Sequence, residues 1–453
     1  MNIVVICSDT FRADVLGCYG DQIVHTPNLD KFASESIVFE NAYAEGLPTI
    51  PARRIYFTGR RLFPRWQIRP FKDDSLSSWQ PGWNPLSEEE VTLAEVLQKQ
   101  NVLTGLITDV LHYFRPTQNL HRYFDSWHWI RGQSVDPYRT GPLEATPKYA
   151  QVPAKASESM RKDFLRSALY IRMTNQYLLN VAKRKKEEDY FVAQVMLKAS
   201  EWLEDNAKNI PFFLWVDCFD PHEPWDPPKE YADMYYPNYK GLEPIFAPSI
   251  SIDDFSSEEQ RRIKALYFGE VTLVDKYIGK VLGKIKSLSL KDDTVVIFTS
   301  DHGTILGEFG RLHKQPNLLI KPETQLPLII RYPKDFSRGK RIKEFVQSID
   351  LMATLLDILN APIPEKVEGH SLLPLIRGEK KNLYPEGIVT AYANYVSFRD
   401  EKWNYINCYR GEKSGKEAQL FNLEQDPQET KNVAFDYPQV VEKMQNKINE
   451  LIE

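Results

Sequence analysis

Thr294-Val295-Val296-Ile297-Phe298-Thr299-Ser300-Asp301-His302-Gly303 is an apolar run that stops on three polar residues and a glycine. A short continuous run rich in Val, Ile and Phe suits a strand buried on both faces, as in a parallel sheet. The same texture recurs in Ile3–Cys7, Val102–Ile107, Phe212–Val216 and Leu326–Arg331. Helical patterns lie between these runs. Thr92 with Glu95 resembles a capping box opening a helix to about Gln100. Ser257 to about Ser287 carries Leu266, Phe268, Val271, Val274, Ile278 and Leu282 at helical spacing. This alternation predicts an α/β fold, a doubly wound α/β/α sandwich.

Four of the runs lead at once to residues capable of chemistry. Ile3–Cys7 leads to Asp9, and Val102–Ile107 to Thr108, Asp109 and His112. Phe212–Val216 leads to Asp217, Asp220 and His222, and the opening run to Ser300, Asp301 and His302. Ligands of open α/β sheets bind beyond the carboxyl ends of the strands, so one site fed by several strand ends is expected. A carboxylate beside an imidazole at a strand end, with Gly303 permitting a tight turn, suits a divalent-metal ligand pair. Asp9 would add a carboxylate from a neighbouring strand. Thr49-Ile50-Pro51-Ala52-Arg53-Arg54 reads as the start of a helix running to about Thr58 and ended by Gly59. Thr49 then lies at an N-terminus that favours an anion, with Arg53 one turn on.

The chain has 453 residues, a net charge of −5 and 42% apolar residues, which permits a large core and disfavours non-specific nucleic-acid binding. Four cysteines without a C-x-x-C pair exclude a disulfide scaffold and a zinc ribbon. No apolar run approaches a membrane span, and the first ten residues lack a signal peptide's basic leader, so a cytoplasmic protein is expected. Phe63–Pro85 and Tyr113–Pro153 read as long loops. Their Trp66, Trp79, Trp83, Trp127 and Trp129, with Arg131-Gly132-Gln133, would wall a pocket. His25, His121, His128 and His370 read as surface or packing histidines, and Cys7 and Cys18 as small core residues. Past about Leu373 the texture changes. Ile388–Phe398, Lys402–Cys408 and Leu420–Leu423 read as short strands, before a terminal helix with Val441, Met444, Ile448 and Leu451 on one face. Residues 1–373 are therefore expected to form the catalytic domain and 374–453 a small α+β domain.

In these blocks the chain resembles the sulfatase family of the alkaline phosphatase superfamily. Asp9-Thr10-Phe11-Arg12-Ala13-Asp14, Gly17-Cys18-Tyr19-Gly20 and Thr26-Pro27-Asn28-Leu29-Asp30 look like its opening. Thr49-Ile50-Pro51-Ala52-Arg53 and Thr58-Gly59-Arg60 fall on its signature. Asp220-Pro221-His222-x-Pro224, Ser300-Asp301-His302-Gly303, Leu306-Gly307-Glu308 and Lys314 follow in order. Glu368-Gly369-His370-Ser371-Leu372, Leu420-Phe421-Asn422-Leu423 and Asp426-Pro427-Gln428-Glu429 complete the match. The resemblance implies an α/β/α core with a smaller C-terminal sheet. It implies that Asp9, Asp301 and His302, with Thr49 close by, bind one divalent metal, Mn²⁺ or Ca²⁺ first and Zn²⁺ as the alternative. It implies that Thr49 is the nucleophile and that Arg53, His222 and Lys314 contact an anionic ester, with Thr108, Asp109 and His112 at the substrate.

Three departures matter. Thr10 stands where the family has a second Asp. Asp109 stands where it has a Lys. Thr49 stands where it has the Cys or Ser that becomes formylglycine. An unmodified Thr has one hydroxyl and cannot expel sulfate by re-forming a carbonyl. Resembling members with a plain Thr are phosphodiesterases and phosphonate hydrolases. The expectation is thus a metal-dependent hydrolase of a small phosphodiester or phosphonate ester that prefers monoanions because of Asp109. A sulfuric ester hydrolase working without formylglycine is the alternative, and an inactive binding homologue the third. No nucleic-acid or membrane partner is expected, and a homo-oligomer is left open.

Overall fold

The computed structural model describes residues 1–64, 81–115, 117–141, 164–209, 211–247, 251–333, 338–409 and 417–452. Trp66 and Trp79 lie outside the described residues. Eight strands form the main sheet: β1 Asn2–Ser8, β2 Ile37–Phe39, β3 Leu103–Thr108, β4 Ser126–Trp129, β5 Phe212–Cys218, β6 Thr294–Ser300, β7 Leu328–Arg331 and β8 Arg341–Ile342. Their spatial order is β8-β2-β7-β6-β1-β5-β3-β4. β6, β1, β5, β3 and β4 are mutually parallel, whereas β7 runs antiparallel to both β6 and β2. The sheet is therefore mixed, a correction to the parallel reading of Leu326–Arg331. A short apolar run carries no sign of its direction. β4 also corrects the reading of Tyr113–Pro153 as loop.

Every residue of β1 is buried. Ile3, Val5 and Cys7 enter one core, and Val4 and Ile6 the other, as the two-residue period of a strand requires. Each such aliphatic side chain contributes about 1.5–3 kcal/mol by leaving water. One face is covered by α1 (Pro27–Ser34), α5 (Phe191–Asn206) and α6 (Ser257–Ser287). The other is covered by α2 (Thr49–Thr58), α3 (Leu93–Lys99) and α7 (Asp350–Ile358). A further helix, α4 (Phe164–Val181), lies between β4 and α5 in the chain. Ser256 and Glu259 close a reciprocal capping box on α6, Glu259 N–H donating to Ser256 Oγ at 3.3 Å and Ser256 N–H to Glu259 Oε2 at 2.8 Å. Among the described residues no helix is long and apolar enough to cross a membrane.

The C-terminal sheet is antiparallel: β9 Ile388–Tyr392, β10 Tyr395–Arg399, β11 Trp403–Cys408 and β12 Gln419–Asn422. What reads as one segment, Ile388–Phe398, is a hairpin that turns at Ala393 with φ 50°. The last helix, α8 (Pro438–Ile452), buries Met444 and Ile448 against it. Val441 is only partly buried and Leu451 is 43% exposed, so the expected apolar face is narrower than its sequence. A seam joins this sheet to the segment before α2. Ala391 N–H donates to Glu45 O at 2.9 Å, Leu47 N–H to Ala391 O at 3.0 Å, and Thr390 Oγ1 to Ala44 O at 2.6 Å.

Candidate active site

Parallel register sets the site. Ser8 pairs with Cys218 on one side and Ser300 on the other, so Asp9 and Asp301 leave adjacent strands side by side. Thr10 follows in the left-handed region at φ 63°, which turns its N–H onto Asp301 Oδ1 at 2.9 Å. Its hydroxyl donates to Asp9 Oδ1 at 2.6 Å. Thr10 thus orients the carboxylates, in the place where the family has an acid. Gly303 is obligatory, because a Cβ there would lie 2.0 Å from the Pro322 carbonyl oxygen.

Asp9, Asp301 and His302 are all buried, and one ligand atom from each lies within 4.8 Å of the others. His302 Nδ1 donates to Gly303 O at 2.7 Å, which leaves Nε2 as the lone-pair nitrogen, buried and without a hydrogen bond among the described residues. Burial pushes the His302 pKa down to about 3, so the ring is neutral.

Thr49 opens α2 after Pro48, Gly59 ends it at φ 61°, and Thr49 is 3% exposed. Arg53 is fully buried and is committed to carboxylates rather than pointing at an ester. Its Nη2 donates to Asp217 Oδ1 at 2.7 Å and its Nε to Asp217 Oδ2 at 3.2 Å. Its Nη1 donates to Asp301 Oδ2 and to the Thr49 carbonyl at 3.3 Å, and lies 2.9 Å from Asp9 Oδ2. Asp217 is saturated from behind by Tyr113 OH at 2.6 Å and Trp215 Nε1 at 3.0 Å. Sequence reasoning placed Asp217 among the chemically capable strand-end residues but gave it no specific role, although an acid inside the buried run Phe212–Cys218 must have a partner.

These residues fit a divalent cation. Asp9, Asp217 and Asp301 against one guanidinium leave two negative charges uncompensated in a buried space. Without a dication the available relief is a proton on Asp301, whose pKa burial and Asp9 push well above the usual carboxylate range. Burial would raise Asp9 too, but Arg53 above all, with Lys314, holds it well below that range.

The opposite wall carries His222 and Lys314. His222 Nδ1 donates to the Glu223 carbonyl at 2.7 Å, and Lys314 Nζ donates to His222 Nε2 at 2.7 Å. Glu223, missed in the sequence, holds Lys314 at 3.3 Å and lies 3.6 Å from His313. Burial and the Lys314 charge lower the His222 pKa, so the ammonium holds the proton of this pair. His222 stacks on Phe219 at 4.0 Å, and His112 packs between Phe219 and Trp83.

The other two residues expected at the substrate face inward. Thr108 Oγ1 accepts from Val110 N–H at 3.0 Å. Asp109 is fully buried and accepts from Phe219 N–H at 2.8 Å. Burial and the neighbouring Asp220 push its pKa well up, which disfavours a negative charge there. That weakens the physical reason given for a monoanion preference. Asp220, itself pushed up to about 6 by burial, is held by Gln133 Nε2 at 2.6 Å.

The sulfatase profile matches residues 1–361, and the profile of the N-sulphoglucosamine sulphohydrolase C-terminal region matches residues 307–453. An arylsulfatase of Clostridium perfringens is 27% identical over 95% of this chain and 90% of its own length. Arylsulfatase K of Bos taurus is 24% identical over 100% of this chain and 81% of its own. The crystal structure of the phosphonate monoester hydrolase of Agrobacterium radiobacter superposes with a TM-score of 0.73 at 20% identity, covering 99% of this chain and 95% of that one. The fold is the alkaline-phosphatase-like α/β fold with a small C-terminal sheet, and the chain belongs to the sulfatase family of hydrolases.

Proposed function

We propose that the protein hydrolyses a small phosphodiester or phosphonate ester in two displacements, with unmodified Thr49 as nucleophile. The observation that carries this reading is Thr49 itself, a single-hydroxyl residue at the N-terminus of α2, with its carbonyl tied through Arg53 to Asp9 and Asp301. A divalent ion held by Asp9, Asp301 and His302 would lower the pKa of an adjoining hydroxyl and offset charge on the ester oxygens. Thr49 Oγ bonds to phosphorus as the bond to the leaving oxygen breaks. Lys314 Nζ gives that oxygen its proton, with His222 Nε2 orienting the ammonium. Thr49 gives its hydroxyl proton to solvent in that step; water then attacks phosphorus, passing a proton to the Lys314 amine, the bond to Thr49 Oγ breaks, and Thr49 takes a proton back from solvent, so that both groups are restored. Arg53 acts as a positioning residue, locking the two carboxylates and the Thr49 backbone to Asp217. Sulfuric ester hydrolysis is the second reading, favoured by relatives named as sulfatases.

The test is a parallel assay of nitrophenyl sulfate, phosphate monoester, phosphodiester and phosphonate ester with Mn²⁺, Ca²⁺ and Zn²⁺. The phosphodiester or phosphonate is expected to give the highest kcat/KM. A sulfate ester ahead of both would replace this reading with the second.

A further inference from the structure

A cavity of about 340 Å³ opens between the C-terminal sheet and a small three-stranded sheet formed by Ala42–Tyr43, Gln325–Leu326 and Val346–Gln347. None of Asp9, Thr49, His222, Asp301, His302 or Lys314 lines it. Two buried side chains from different sheets do. Tyr43 is 1% exposed, and its hydroxyl has no hydrogen-bond partner among the described residues. Arg399 is 3% exposed and lies 4.8 Å over the Tyr43 ring. Its Nη2 donates to Glu429 Oε1 at 2.6 Å, but its Nη1 is buried without a partner among the described residues. Glu429 has little left to offer, since Asn404 Nδ2 reaches Oε1 at 2.6 Å and Lys321 N–H reaches Oε2 at 2.7 Å. Lys321 lines the same cavity, its ammonium reaching, among the described residues, only the Pro427 carbonyl at 3.3 Å.

Three acids, Glu344, Asp400 and Glu401, line the cavity as well. Glu344 accepts from the N–H of Lys343 at 3.1 Å, Asp400 Oδ1 from Lys402 N–H at 2.8 Å and Trp403 N–H at 2.7 Å, and Glu401 stays exposed. Against them stand a hydroxyl, a guanidinium nitrogen and an ammonium. Arg399 Nη1 is the donor buried without an acceptor among the described residues, which is costly, and an Arg edge matches the paired oxygens of an oxyanion.

We propose that this cavity is a second binding site, for a sulfate, phosphate or carboxylate group, either free or carried on a sugar-sized body. The volume equals roughly ten waters at about 30 Å³ each, so the anion can bring such a body with it. The site also touches the candidate active site through the chain, because Lys321 precedes Pro322, the residue packed on Gly303 beside His302.

The test uses the full chain with His222→Ala and Lys314→Ala, so that oxyanion binding at the candidate active site is silenced. Calorimetric titration with inorganic sulfate and phosphate, at constant ionic strength against chloride, should show one saturable site. Tyr43→Phe and Lys321→Met in this background should each weaken binding at least tenfold. Tyr43→Phe should leave the anion-free Tm unchanged or raised, because its hydroxyl has no partner to lose. Tighter binding of a hexose 6-sulfate than of sulfate assigns the carried anion, and equal binding the free one. Loss of all binding in the His222/Lys314 background, binding no stronger than chloride, or affinity indifferent to Tyr43→Phe and Lys321→Met would each overturn the proposal.

Discussion

Replacing Asp217 with Asn tests whether that residue holds the candidate site together. Asp217 accepts four donors: Arg53 Nε at 3.2 Å, Arg53 Nη2 at 2.7 Å, Tyr113 OH at 2.6 Å and Trp215 Nε1 at 3.0 Å. Three of them converge on Oδ2. An Asn that keeps its oxygen there must aim its NH₂ at Arg53 Nη2, donor against donor. Breaking a buried ion pair by removing one charge costs about 3–5 kcal/mol. An unfolding entropy of about 2.1 cal/mol/K per residue gives about 1 kcal/mol/K over 453 residues, so Tm should fall by about 3–5 °C. Arg53, freed from its anchor, then leans on Asp9 and Asp301 alone. Divalent metal affinity should drop by about 10–100-fold, as for other residues that orient ligands indirectly. Scanning calorimetry and metal titration read the two effects separately. A variant with both wild-type Tm and wild-type metal affinity would refute the anchoring argument.

Thr49→Ala should cut turnover by roughly three or more orders of magnitude while keeping metal binding, and Thr49→Ser should stay active; near-wild-type turnover in the Ala variant would remove Thr49 as nucleophile. Asp109→Asn should change the diester-to-monoester ratio of kcat/KM by less than about twofold, because burial and Asp220 already disfavour a charge on the native group; a larger change means that a charged carboxylate acts on the ester. Glu45 is pushed up from 4.5 to about 7 by burial, which outweighs Arg61 and the Leu62 N–H. Its folded pKa is raised, so its contribution is complete below pH 4.5 and lost as pH rises through about 7, a change of about 3 kcal/mol. Glu45→Gln should therefore gain on wild type between pH 4.5 and 8 in thermal unfolding, and parallel pH profiles would show the argument wrong.

The buried strands were legible because a strand covered on both faces needs an unbroken apolar run, and β1, β3, β5 and β6 each have one. The direction of β7 was not, since orientation depends on where the chain re-enters the sheet. β4 escaped notice because it is an edge strand whose Ser126, Trp127 and His128 are exposed, which leaves no apolar run to read. In the site, Asp9, Asp301 and His302 were legible because each follows its strand directly and the strands are in register. The pairing of Arg53 with Asp217 was not, because it depends on how α2 is rotated over β5. The raised pKa of Asp109 was hidden for a similar reason: Asp220, which helps to raise it, arrives from a different strand.

The seam between β9 and Ala44–Leu47 bears on how such a protein can be taken apart. The C-terminal sheet supplies backbone partners to the stretch that delivers Thr49, although it supplies none of the candidate metal ligands. A chain ended at Leu373 would strip Glu45 O and Leu47 N–H of their bonds, at about 0.5–1.5 kcal/mol for each, just upstream of the reacting residue. The lobes are thus not interchangeable cartridges. A chimera drawing its C-terminal half from a relative must carry over the matching Ala44–Leu47 stretch as well, or it will inherit a complete set of ligands around a misplaced threonine.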